Sequence, residues 1–90
     1  MSVYLTLRTA ENKSTAEKII DELKETFGEG SIDVSEDYGN WQPIRVNNAD
    51  GWVGINTIEF KGESRIHIFR KDTELAYDIK LDNIETIYNI

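Results

Sequence analysis

The 90-residue sequence contains no cysteine, one proline and one histidine. The absence of cysteine excludes a disulfide framework and any zinc site built from thiolates. No apolar run approaches the roughly 20 residues that a membrane-spanning helix requires. The apolar stretch near the start, Val3–Leu7, is too short for a signal peptide and lacks a basic leader, so we expect a cytoplasmic protein.

The length favours a single domain over residues 1–90, with one modest hydrophobic core and a free energy of unfolding of about 5 kcal/mol. Alternation of apolar and polar residues, the period of a half-buried strand, recurs along this domain. The predicted strands are Val3–Arg8, Ile32–Ser35, Ile44–Val46, Trp52–Phe60, Arg65–Arg70 and Leu75–Leu81. The last segment, residues 82–90, suits either a short helical turn or a final strand.

One segment has helical periodicity, with its apolar residues on a single helical face. These residues are Ala16, Ile19, Ile20, Leu23 and Phe27. Ser14 and Glu17 have the spacing of a capping box in which Ser14 is the N-cap, and Gly28 follows the last helical residue, where glycine is common. The pattern predicts an amphipathic helix over residues 15–27.

Proline and glycine positions refine the predicted strands. Pro43 cannot donate a backbone hydrogen bond, which favours the start of a strand or an edge strand. Asn47–Gly51 tolerates left-handed backbone conformations and is typical of a hairpin connection, and Gly54 weakens the next strand or marks a bulge. The sequence therefore predicts an α+β fold, with one amphipathic helix packed on a mainly antiparallel sheet of five to seven strands.

Few residues are candidates for catalysis or metal binding. His67 lies between Ile66 and Ile68 on a predicted strand and faces the opposite side from them. No serine or threonine stands in a nucleophile-elbow motif, and the glycines form no phosphate-binding loop. The alternating oxygens of the segment 33–37 lack the central glycine and distant glutamate of an EF-hand. We therefore expect no enzymatic activity, no metal ion and no cofactor.

The net charge of −7 is concentrated in part of the chain. Residues 21–37 carry seven carboxylates and one lysine, whereas residues 38–71 are slightly basic. This balance disfavours direct binding to DNA, RNA or an anionic membrane, because each of them is negatively charged. It favours a partner protein with a basic surface.

The acidic segment has two interpretations. Its carboxylates are Asp21, Glu22, Glu25, Glu29, Asp33, Glu36 and Asp37. Glu17, Asp21 and Glu25 repeat at a spacing at which like charges repel, and the last two lie toward the C-terminal end of the predicted helix, which disfavours anions. The segment is either a solubilising surface or a surface that imitates nucleic-acid phosphates and occupies the basic cleft of a nucleic-acid-binding protein.

Trp41 is a further candidate for partner binding. It is opposite in phase to Ile44 and Val46, which places it on the face of the strand away from the helix. Exposed tryptophans are enriched in the hot spots of protein interfaces. The alternative is that Trp41 and Trp52 close the two ends of a small core.

The run IRVNNADG, Ile44–Gly51, resembles the strand and turn of type II-A anti-CRISPR proteins, which are small acidic phage inhibitors. Size, acidity and the lack of cysteine are also similar. The resemblance implies an inhibitor whose acidic side chains replace the DNA motif beside the target on a CRISPR effector nuclease. The densest acidic residues here precede the run instead of following it, so no residue role is transferred.

Two functional hypotheses follow. The first is a non-enzymatic inhibitor of phage or mobile-element origin, acting in the host cytoplasm through the acidic segment and Trp41 on a protein with a basic, nucleic-acid-binding surface. The second is an assembly module that forms a homodimer or a larger homo-oligomer through a sheet edge or its aromatic face.

Overall fold

The computed structural model describes residues 1–10 and 13–90, and it has an α+β fold with one helix packed on antiparallel sheets. The elements are β1 (Ser2–Arg8), α1 (Lys13–Phe27), β2 (Ile32–Val34), β3 (Trp41–Asn47), β4 (Asp50–Gly54), β5 (Arg65–Phe69), β6 (Ala76–Lys80) and β7 (Ile84–Asn89). Two short 3-10 turns, Glu29–Ser31 and Leu81–Asn83, precede β2 and β7. The final segment thus contains both a short helical turn and a strand.

Helix α1 ends where the sequence predicts and begins earlier. Its first residue is Lys13, so Ser14 lies inside the first turn and is not the N-cap. Its last residue is Phe27, and the N–H of Gly28 donates to the carbonyl of Lys24 at 2.9 Å. Gly28 has φ 92°, a conformation that favours glycine, which is why the helix stops there.

The strands form two antiparallel sheets, so the prediction of a single sheet is wrong. The strand orders are β2-β3-β1-β7 and β4-β5-β6. Asn47–Gly51 is not a hairpin connection, because β3 pairs with β1 and β2 whereas β4 pairs with β5. Asn48 has φ 56°, and this left-handed residue turns the chain from one sheet into the other.

Pro43 lies inside β3, which is an interior strand beginning at Trp41. The prediction that Pro43 marks a strand start or an edge is therefore wrong. The Ser35 N–H donates to the Pro43 carbonyl at 3.1 Å, and proline has no N–H to return the bond. The buried Gln42 side chain replaces it, since its Nε2 donates to the Ser35 carbonyl.

The strand predicted over Trp52–Phe60 ends at Gly54. A Cβ at Gly54 would lie 2.8 Å from the Trp52 ring, 2.9 Å from the Thr57 methyl carbon and 3.0 Å from the Phe60 ring. These side chains fold over the glycine. The chain consequently leaves the sheet there and forms a loop before β5.

The helix and both sheets share one hydrophobic core. Leu5 of β1, Leu23 of α1 and Ile66 of β5 are all fully or almost fully buried in it. The helix contacts β1, and it also contacts β2 and β6, which are the outer strands of the two sheets. The helix therefore lies against both sheets and reaches the outer strand of each.

Candidate functional site

The exposed side of α1 and the turn after it carry three unpaired carboxylates. Asp21, Glu25 and Glu29 are exposed and form no ion pair or hydrogen bond through their side chains with any described residue. We call these three residues the acidic helix surface. Asp21 and Glu25 are one turn apart, where like charges repel, and neither forms an ion pair with a described lysine.

Glu22 belongs to the packing between the helix and the second sheet. It is half-buried, and its Oε2 accepts a hydrogen bond of 3.1 Å from the Tyr77 hydroxyl on β6. Burial and the nearby Glu22 carboxylate raise the pKa of Tyr77 to about 12. Glu22 is therefore partly engaged inside the protein and less available to a partner than its neighbours on the helix.

The other three acidic residues lie beyond the helix. Asp33 is on the face of the four-stranded sheet opposite the helix, and its Oδ2 accepts a hydrogen bond of 2.9 Å from Asn47. Glu36 is exposed in the loop after β2. Asp37 accepts the Gly39 N–H at 2.6 Å and pairs with Lys13 at 3.3 Å, and these contacts lower the pKa of Asp37. The seven carboxylates thus do not form one continuous surface.

Trp41 lies on the face of the sheet away from the helix, as the strand phase predicts, and its exposed fraction is 41%. The Tyr38 ring, also exposed, is 6.4 Å from it between centroids. A cavity of about 390 Å³ lies beside Trp41 and is lined by polar side chains that include Arg8, Asp82 and Glu85. Trp41 and the acidic helix surface therefore face different directions.

His67 forms the centre of an aromatic row on the outer face of the three-stranded sheet. Its ring lies 5.4 Å from the rings of both Trp52 and Phe69, and its Nδ1 is 2.6 Å from Asp78 Oδ1. An imidazole held by a carboxylate can act as a base. Within residues 1–10 and 13–90, however, no three acidic or histidine side chains converge as a metal site would require.

Sequence reasoning missed the loop between β4 and β5. Trp52–Phe60 was predicted to be one strand that Gly54 weakens or bulges, so no loop was expected after Gly54. In the structure Ile55 and Ile58 of this loop have exposed fractions of 67% and 93%. The only signal in the sequence for this exposed loop was the presence of apolar residues after Gly54.

No protein-family model, curated protein sequence or solved structure matches this chain. Its function is therefore inferred from its own residues. Among the helices of the described part of the chain, none is both long and apolar enough to cross a membrane.

Proposed function

We propose that this protein is a non-enzymatic binding protein whose acidic helix surface occupies the basic, nucleic-acid-binding surface of another protein. The observation that supports it is that Asp21, Glu25 and Glu29 are exposed and form no ion pair or side-chain hydrogen bond with any described residue. Held by the helix and by the turn after it, they present negative charge at a spacing that a flexible tail could not maintain. A basic cleft would supply the missing counter-charges.

Two effects in the helix oppose the charges of Asp21 and Glu25. Asp21 and Glu25 repel each other across one helical turn, and Glu25 lies in the C-terminal half of the helix, where the dipole disfavours anions. Lysine at position 25 would remove both effects and stabilise the helix by a few tenths of a kcal/mol. A partner offers a reason for carboxylates at these positions that local stability does not.

An anti-CRISPR role is the specific form of this proposal, and it comes from the resemblance of Ile44–Gly51 to type II-A inhibitors. In this chain that run extends from β3 across the corner into β4. The first partner to test is accordingly a type II-A CRISPR effector nuclease loaded with its guide. The measurement is displacement of labelled target DNA by increasing amounts of this protein.

The test variant combines Asp21→Asn, Glu25→Gln and Glu29→Gln, which removes three charges at nearly constant size. Its apparent affinity should fall at least tenfold, about 1.4 kcal/mol, mainly through slower association, and its dependence on salt should become weaker. Folding should be unchanged or slightly improved.

A matched control removes three exposed charges elsewhere, by Asp72→Asn, Glu74→Gln and Asp82→Asn. The net charge then rises from −7 to about −4 in both variants. Equal loss of binding in the two variants would show that only the total charge matters. Retained binding in the test variant would contradict the proposed role of the acidic helix surface.

Self-association is the second candidate function, and it is favoured by the exposed aromatic side chains on the outer face of the four-stranded sheet. Tyr38, Trp41 and Tyr88 there have exposed fractions of 66%, 41% and 58%. A homo-oligomer formed through this aromatic face should persist at high salt, whereas capture of a basic partner should weaken. Sedimentation at low and high salt distinguishes the two functions.

A further inference from the structure

The outer edge of β6 carries unpaired backbone groups. β6 is an outermost strand of the three-stranded sheet. The Leu81 N–H donates to the Ser64 carbonyl at 3.0 Å, so every second residue counted back from Leu81 directs its N–H and carbonyl toward β5. The backbone groups of Ala76, Asp78 and Lys80 therefore point away from the sheet. No described residue of another element forms a hydrogen bond with them.

The opposite edge of the same sheet is treated differently. At β4, both backbone groups of Gly51 pair with the Asn89 side chain. An open strand edge is a template on which another chain can form a further strand, so proteins commonly cover or shorten such edges. The edge of β6 is therefore a candidate for strand addition.

A groove of about 250 Å³ lies between β6 and α1, and we call it the β6 groove. Residues 77–80, four consecutive residues of β6, line one side of it. Because side chains alternate between the two faces of a strand, a cavity on one face would be lined by every second residue. The consecutive lining therefore places the groove along the backbone edge of β6. Lys18, Ile19 and Glu22 of α1 lie on its other side.

The charges that line the β6 groove are unevenly paired. Its two carboxylates, those of Glu22 and Asp78, are each bonded to a side chain of the protein itself. The Arg65 guanidinium is paired with a glutamate at 2.6 Å. Lys18 and Lys80 are exposed and form no ion pair with any described residue. Charges more than about 8 Å apart are largely screened at physiological ionic strength, so these two lysines attract anions locally although the net charge is −7.

We propose that the β6 groove binds an extended acidic segment of another protein, which adds to β6 as a further strand. Backbone hydrogen bonds to Asp78 and Lys80 hold the segment, and its carboxylates pair with the ammonium groups of Lys18 and Lys80. Only an extended polypeptide supplies donors and acceptors in the alternation that a strand edge requires. The groove shares no residue with the acidic helix surface, and neither contact requires the other.

The test uses a fluorescein-labelled hexapeptide in which valine and glutamate alternate, and a matched peptide with lysine in place of glutamate. Fluorescence anisotropy should show binding of the glutamate peptide that is at least about tenfold tighter than that of the lysine peptide. Combining Lys18→Gln with Lys80→Gln should weaken it about tenfold or more. The matched control combines Lys61→Gln with Lys71→Gln, which removes the same charge outside the groove and should bind as the wild type does. Melting temperatures equal to that of the wild type establish that each variant is folded.

Hydrogen exchange locates the contact. In the free protein the amides of Asp78 and Lys80 should exchange quickly, whereas the Ile79 amide, which faces β5, should be protected. An excess of the glutamate peptide should slow exchange at Asp78 and Lys80 about tenfold or more.

The proposal is overturned by unchanged exchange at both amides with the peptide bound, by equal affinities for the two peptides, or by no binding at about 1 mM peptide. Slower exchange at these amides when the concentration of the protein alone is raised would also overturn it, because a second copy would then occupy the edge of β6.

Discussion

The Asn89 side chain pairs with both backbone polar groups of Gly51. Its Nδ2 donates to the Gly51 carbonyl at 2.9 Å, and the Gly51 N–H donates to its Oδ1 at 3.0 Å. These two bonds imitate one hydrogen-bonded pair of an antiparallel ladder. They join β7, an edge of the four-stranded sheet, to β4, an edge of the three-stranded sheet.

Asn89→Ala should destabilise the protein by about 1–2 kcal/mol, because both Gly51 groups lose their partner. Chemical denaturation measures the loss, and hydrogen exchange at the Gly51 amide should become faster. Asn89→Asp is the control, since it keeps the acceptor and removes the donor, and its stability should be intermediate. Wild-type stability of Asn89→Ala together with unchanged exchange would contradict a joining role.

The division into two sheets illustrates what the sequence could not predict. Alternation in β3 correctly indicates extended chain, but it reports only which face of a strand is buried. It does not report which strands are neighbours, since pairing depends on contacts between distant residues. The turn residues at Asn47–Gly51 fit a hairpin and a corner between sheets equally well.

The sequence predicted part of the candidate site. The alternation of side chains along the strand placed Trp41 on the face away from the helix. The same alternation would have placed Asp33 on that face too, because Ile32 and Val34 lie on the inner side. The partner of Glu22 was not predictable, since Tyr77 is 55 residues away in sequence. Whether a carboxylate is free or engaged depends on such distant contacts.

The Gln42 side chain should stabilise the protein because it supplies the donor that Pro43 lacks. Gln42→Leu should cost about 0.5–1.5 kcal/mol, the usual net contribution of a hydrogen bond, because Ser35 is exposed and water can reach its carbonyl. Denaturant unfolding measures it. In a Pro43→Ala background a backbone N–H becomes available for the same carbonyl, so the cost of Gln42→Leu should be smaller there. Additive costs in this double-mutant cycle would show that Gln42 acts independently of Pro43.

Tyr77 should make the protein sensitive to alkaline pH. Its pKa is about 12 in the folded protein against 10.0 ordinarily, so the unfolded chain releases this proton first. Stability from this group is complete below pH 10 and is lost as the pH rises toward 12. Tyrosinate absorbance, compared with Tyr77→Phe to isolate the group, measures the pKa.

Glu22→Gln tests the cause of the Tyr77 shift, because it removes the carboxylate charge and keeps an acceptor oxygen. The pKa of Tyr77 should then move toward its ordinary value while burial keeps it above that value, since burial is the larger cause. An unchanged titration curve in Glu22→Gln would show that the charge of Glu22 does not contribute to the shift.

The Asp37 carboxylate is engaged by groups of the protein itself, unlike the carboxylates of the acidic helix surface. Mutual repulsion would raise carboxyl pKa values, but the Gly39 N–H and Lys13 lower the pKa of Asp37. Its contribution to stability is present above the unfolded value of 3.8 and is lost as the pH falls through the lower folded value. Asp37→Asn keeps an acceptor for Gly39 and loses the attraction to Lys13, so its melting temperature should lie between those of the wild type and Asp37→Ala. The difference in melting temperature between the wild type and Asp37→Asn should become smaller in high salt and at acid pH. A difference that persists under both conditions would mean that the attraction to Lys13 contributes nothing to stability.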